Sequence, residues 1–317
     1  MNVFKKNKLN KILIKQNKKR VLTKKLRAMR NIIKFSPLLF FMSFFIIYSC
    51  SKQKSNDNTL TINKFNKLGV IHNDFLTNVK NNFEPDNNIT SKDEKIEFIN
   101  QFNLNFAQQQ PLPNSEKELL INSLNKYKRY VETTNIAYPF VTERVQFRSN
   151  DSLNMNVFDL INELYELNLI SSKSYQILSN LATDIKENYE GLITNDELKN
   201  RIISYIQDFN NAGYEEGGEG ELVGTVLAIS LHSLEWWEQN PDATSYSGRG
   251  VSNFAVPAWV AADAGGAIVG GVIGAIDSYY QNGEVDWTSV GIGALGGAID
   301  GSVGISGKIA RWVRSIF

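Results

Sequence analysis

From residue 91 onward, apolar positions recur every three or four residues, the period of a helix with one buried face. The first such stripe holds Ile96, Phe98, Ile99 and Phe102 behind Ser91-Lys92-Asp93-Glu94, a capping box at a helix start. Pro111 and Pro113 break the chain, and Ser115 with Glu118 opens a second helix carrying Leu119, Leu120, Leu124 and Tyr127. Val157, Leu160, Ile161, Leu164 and Leu167 mark a third, and similar stripes run over 171–189 and 195–210. One weak strand pattern lies at 141–147. The acidic, glycine-rich 214–221 reads as a mobile hinge into an apolar helix over 222–239 that ends in the pair Trp236-Trp237, expected in the core, with one Trp at an interface as the alternative. The fold class these patterns predict is all-α: a helical bundle, then a Gly-rich two-helix hairpin, behind a disordered N-terminal tether.

The hairpin is the sharpest signal. Of 22 glycines, 15 fall between Gly248 and Gly307. Gly266, Gly270 and Gly274 are spaced four apart, as are Gly293, Gly297 and Gly301, so each trio shares one helical face. The word Gly-Ala-Ile-Asp occurs at 274 and again at 297, suggesting two related arms around a turn at Gln281-Asn282-Gly283-Glu284, with Asp286 capping the second. Each interior glycine costs about 1 kcal/mol relative to alanine, so a tight partner must compensate. The glycine faces are therefore expected to pack on each other or on a second molecule. Asp263, Asp277 and Asp300 are the polar positions on those faces. The uncharged runs 264–276 and 287–299 are thirteen residues each, shorter than a span of about 20 residues, so a buried hairpin and an inserted one are both open readings.

The N-terminal pattern is of another kind. Residues 35–49 are uncharged and strongly apolar, about 22 Å as a helix, short of a hydrocarbon core of roughly 30 Å. A basic segment precedes them and Cys50, the only cysteine, follows. Ile47-Tyr48-Ser49-Cys50 resembles the lipobox of bacterial lipoproteins. That resemblance implies cleavage before Cys50 and acylation of its thiol and amine, and two or three acyl chains anchor a protein durably. A start at Met29 would leave a compact basic n-region, making 1–28 a start-site artefact or an extended n-region.

The expected organisation is 1–49 signal peptide, 50–90 flexible tether, 91–240 α-helical domain, 241–253 linker, and 254–317 glycine-zipper hairpin with a basic tail. In that tail, Lys308, Arg311, Trp312 and Arg314 suit a headgroup layer. The lipobox with two glycine-spaced arms resembles the glycine-zipper domains of outer-membrane lipoproteins and the glycine-zipper helices of some secreted bacteriocins. It implies envelope residence and helix association rather than a reaction.

Charge and chemistry narrow the rest. The totals, 34 basic against 33 acidic, conceal 13 basic residues between Lys5 and Lys34; the remainder has 21 basic against 33 acidic. So acidic a chain, without a basic stripe, is not expected to bind nucleic acid. One cysteine and two histidines exclude a disulfide framework and a Cys/His zinc site. Residues 186–197 imitate a calcium loop, but Lys186 stands at its first ligand position, and a helix–glycine turn–helix capped by Thr194 or Asn195 explains them better. His72, in the tether, and His232, on an apolar helix, read as surface or satisfied core residues. No nucleophile, metal-ligand or phosphate-loop motif is found, so no catalytic residue, metal or cofactor is expected. The expected function is that of a non-enzymatic, lipid-anchored envelope protein of the outer membrane. Its partners would be the membrane, through Cys50, and itself or another envelope protein, through the hairpin. The alternative is a toxin-like effector whose hairpin enters target membranes.

Overall fold

The computed structural model describes residues 60–133, 143–146, 152–155, 157–244, 255–305, 309 and 312. Cys50, the signal segment and residues 50–59 of the expected tether lie outside them. Nine α-helices are described: α1 (Asn66–Asn82), α2 (Lys92–Gln109), α3 (Asn114–Thr133), α4 (Val157–Glu166), α5 (Ser172–Tyr189), α6 (Asn195–Ala212), α7 (Gly220–Gln239), α8 (Ala255–Asn282) and α9 (Trp287–Ile305). A two-stranded antiparallel ribbon, Glu143–Gln146 against Ser152–Met155, pairs Glu143 with Met155. The fold is all-α, with this ribbon as a small insert.

Local chemistry explains the helix ends. Ser91 accepts from the Glu94 N–H at 3.3 Å, and Thr194 with Glu197 forms a complete capping box. Gly213 ends α6 in the left-handed region at φ 70. Between α5 and α6, Lys186 pairs with Glu190, and Asn188 donates to the Ile193 carbonyl and to Asn195. The 186–197 segment is thus a turn between helices whose Glu197 is committed to its cap.

Three consecutive helices form the centre. α8 and α9 pack as a hairpin, and α7 lies against both. α7 is buried without interruption from Gly220 to Ser230, and α9 from Val290 to Asp300, as expected of helices apolar on every side. Amphipathic helices surround them: α1 and α6 on α7, α3 on α9, α4 and α5 on α8, and α2 on α3. Asp57–Phe317 is one compact unit. The expected division into a 91–240 domain, a linker and a separate 254–317 hairpin is therefore corrected. The hairpin supplies the core that the amphipathic faces need.

The tether is corrected over 60–83. Leu60, Phe65, Leu68, Ile71, Phe75, Leu76, Val79 and Phe83 are buried, and α1 packs on α7 and α9. Asparagine and lysine occupy its outer face, and that composition conceals an ordinary amphipathic helix. The expected hinge at 214–221 is held as well. Tyr214 is buried, stacks on Phe209 and shares a 2.8 Å hydrogen bond with Ser174, while Lys64 donates to Glu216 and Glu221. In the tail, Trp312 is 5% exposed rather than placed for a headgroup layer. Its ring meets Phe83 and Phe98, its indole N–H donates to the Asp86 carbonyl, and its own carbonyl accepts from Lys95 at 2.8 Å.

Candidate functional site

The glycine faces of α8 and α9 meet within one molecule. A Cβ added at Gly270 would stand 2.5 Å from the Gly293 carbonyl oxygen and 2.9 Å from the Gly297 Cα. One added at Gly266 would strike the Gly297 carbonyl, one at Gly297 the Gly266 carbonyl, and one at Gly301 the Ala262 carbonyl. Gly293 is less tight, at 3.3 Å from the Gly270 oxygen. Gly274 does not belong to the close seam, since a Cβ there would lie 3.8 Å from Val290 Cα, an ordinary contact. The seam therefore opens toward the turn, where Gly283 takes φ 78 and Asp286 caps α9 by accepting from the Ser289 N–H at 3.2 Å. Other glycines of α9 admit the surrounding helices: Gly291 meets the Glu221 carbonyl of α7, and Gly296 meets Ser123 of α3.

At the far end of the seam, Asp263 of α8 collects side chains from three other helices. Its Oδ1 accepts from the Ser302 hydroxyl at 2.6 Å. Its Oδ2 accepts from the Ser233 hydroxyl at 2.7 Å and the Trp237 indole N–H at 2.8 Å. His72 of α1 brings Nε2 to 3.0 Å from Ser302 Oγ and 3.6 Å from Asp263 Oδ2. Asn73 donates to the His232 carbonyl at 2.9 Å, which orients its own Oδ1 toward His72 Nδ1 at 3.4 Å. The single Ser302 hydroxyl hydrogen has a carboxylate at the shorter distance, so His72 Nε2 is left to donate to Ser302 Oγ. Trp259 lies against Trp237 with ring centroids 4.5 Å apart, covering the cluster.

A serine beside a histidine and an aspartate invites comparison with a hydrolytic triad. In a triad the imidazole accepts from the serine, and the carboxylate orients the opposite ring nitrogen. Here the carboxylate binds the serine itself, and Nδ1 faces an amide. His72 and Asp263 are 0% exposed and Ser302 1%, so no acyl group can reach the hydroxyl. The cluster can do something simpler. A buried carboxylate is tolerable only with several donors; these come from α7 and α9, and His72 of α1 joins through Ser302, so the network ties four helices in one register.

Asp300 lies on another face of α9. Asn103 of α2 donates from Nδ2 to Asp300 Oδ1 at 3.3 Å, while Asp300 Oδ2 and Asn103 Oδ1 have no partner. Burial pushes the Asp300 carboxyl well above the usual carboxylate range, against the opposing effect of the Asn103 bond. Asp277 is only half-buried, toward the open end of the seam. The three expected aspartates are therefore not one site: Asp263 centres a network, Asp300 pairs with Asn103, and Asp277 lies toward the turn.

Sequence reasoning missed His72, Ser233, Ser302 and Asn103 as partners. The periodic stripe through Leu68, Ile71, Phe75 and Val79 was the available signal for His72, because it puts that residue on the buried side of α1. Trp236 and Trp237 are both buried in the core, as expected, donating to Thr77 and to Asp263. His232 covers Gly69, and burial, the larger influence, holds its imidazole below the ordinary histidine range despite Glu235. Among the described residues no group of three or more His, Cys, Asp or Glu side chains could hold a metal ion. No family model, curated protein or solved structure matches this chain.

Proposed function

We propose that this chain is a non-enzymatic, lipid-anchored protein of the bacterial cell envelope, whose glycine-zipper hairpin is the packing core of the domain carried by the anchor. The observation that carries the role of the hairpin is the meeting of the two glycine faces inside a single unit. A seam already closed by its own second arm leaves the close-contact glycines nothing to offer a partner. Anchoring rests on the apolar 35–49 segment and Ile47-Tyr48-Ser49-Cys50. Export would convert an N-terminus rich in lysine into an acylated cysteine followed by an acidic chain.

The test is made in the native host. Intact-mass spectrometry of the membrane fraction should find a chain beginning at acylated Cys50, and Cys50→Ala should move the protein out of that fraction. An unmodified Cys50 in the membrane fraction would overturn the anchor.

One observation favours a second reading, that of a membrane-active effector. Ala258–Asn282 is long and apolar enough to cross a membrane, although 83% of its most apolar stretch is buried in the fold. Dye release from anionic liposomes by the mature chain would favour that reading. Intact liposomes, together with stable acyl anchorage, favour the packing role.

A further inference from the structure

Asp300 and Asn103 present an unusual accounting. Both side chains are buried, at 7% and 2% exposure, and one hydrogen bond joins them. The remaining oxygen of each lacks a partner, and these two oxygens belong to the two ends of the same pair. An ionised carboxylate would leave two acceptors buried with no donor between them, an arrangement costly in a core. A single hydrogen on Asp300 Oδ2 would supply the missing donor for Asn103 Oδ1 and close a ring of two hydrogen bonds.

We propose that Asp300 is held as the neutral acid, in a cyclic acid–amide pair with Asn103, and that its proton is a latch seating α2 on the central hairpin. Loss of that proton removes one of the two hydrogen bonds and places a bare charge in the core. The latch is therefore closed in acid and weakened in alkali. Among the described residues, several ionisable side chains of the surrounding helices are engaged elsewhere. Lys95 of α2 is on the Trp312 carbonyl, His72 of α1 and Asp263 of α8 are on Ser302, Glu221 of α7 is on Lys64, and Glu116 of α3 is on Lys67. Burial and the Asn103 bond are the two influences on Asp300, and the first prevails, in agreement with the geometry.

The sign of the effect follows from linkage. The folded chain keeps a proton that the unfolded chain releases near pH 4. The contribution of Asp300 to stability is thus complete below that pH and is lost as pH rises toward the folded value. Asp300→Asn reproduces the donor of the neutral acid without a titration. Its urea midpoint should gain on wild type as pH rises from about 4 to 8, while the two run parallel at lower pH. A gap that stays constant across that range would overturn the latch.

Infrared spectroscopy of the full chain reads the proton itself. At neutral pH, the wild-type minus Asp300→Asn spectrum should show the C=O stretch of a protonated carboxylic acid. Carboxylate bands in its place would overturn the proposal. If Asp300→Asn does not fold, Asn103→Leu decides, since removing the amide must shift the acid band of the wild type. A band unmoved by Asn103→Leu would show that the pair does not exist.

Discussion

Asp263 has three good donors on two oxygens, and each comes from a different turn or helix of the core. Asparagine at this position would keep one acceptor and turn an N–H₂ group toward hydroxyl or indole donors. Asp263→Asn is expected to cost about 3 kcal/mol or more, because hydrogen bonds to a charged group are worth roughly 1.5–3 kcal/mol each and some donors would be orphaned. Ser302→Ala should cost less, about 1–2 kcal/mol, since Asp263 keeps Ser233 and Trp237. Urea unfolding of both variants checks the order, and equal losses would show that the carboxylate is not the centre of the network. Asp263 was legible as a polar residue on a glycine face. Its partners were not, because 72, 233, 237 and 302 are brought together by three helices and no short-range spacing records that.

Between the arms of the hairpin, the test is one of volume against propensity. Alanine gains about 1 kcal/mol over glycine in a helix interior. At Gly297 that gain is overwhelmed, because the new methyl would occupy the Gly266 carbonyl and forcing an overpacked contact costs about 1–3 kcal/mol. At Gly274 the methyl has room, and the propensity gain should survive. Gly297→Ala is therefore expected to lower the thermal midpoint and Gly274→Ala to raise it, as scanning calorimetry would show. The same sign for both would mean that the seam is not set by backbone contact. The four-residue spacing and the repeated Gly-Ala-Ile-Asp made this pairing readable in advance, since a period identical in two arms needs no knowledge of the remaining fold. The departure of Gly274 was not readable. The arms diverge toward the turn, and periodicity carries no information about the angle between them.

Across the whole domain, the surprise is how much depends on the segment first read as a tether. Seven large apolar residues between Phe65 and Phe83 are buried, each worth about 1.5–3 kcal/mol, against a typical net stability of about 5–15 kcal/mol. A chain lacking 60–83 is expected to lose cooperative unfolding and bind a hydrophobic dye, while a chain beginning at residue 57 should unfold in one step. Trp312→Ala should cost about 3–5 kcal/mol, read by urea unfolding, because it empties a pocket among Phe83, Phe98 and Lys95. Polar composition hid the first of these helices, and a short basic tail disguised the second anchor as surface.

The contacts of His72 with Ser302 and of Lys95 with Trp312 bind the beginning of the domain to its end. α1 can meet α7 once both are made, but its seat on α9 waits until residue 302 has left the ribosome. Until then the cluster around Asp263 lacks the Ser302 hydroxyl, and the core stays incomplete. Timing, on this account, is written into where the two ends of the domain meet.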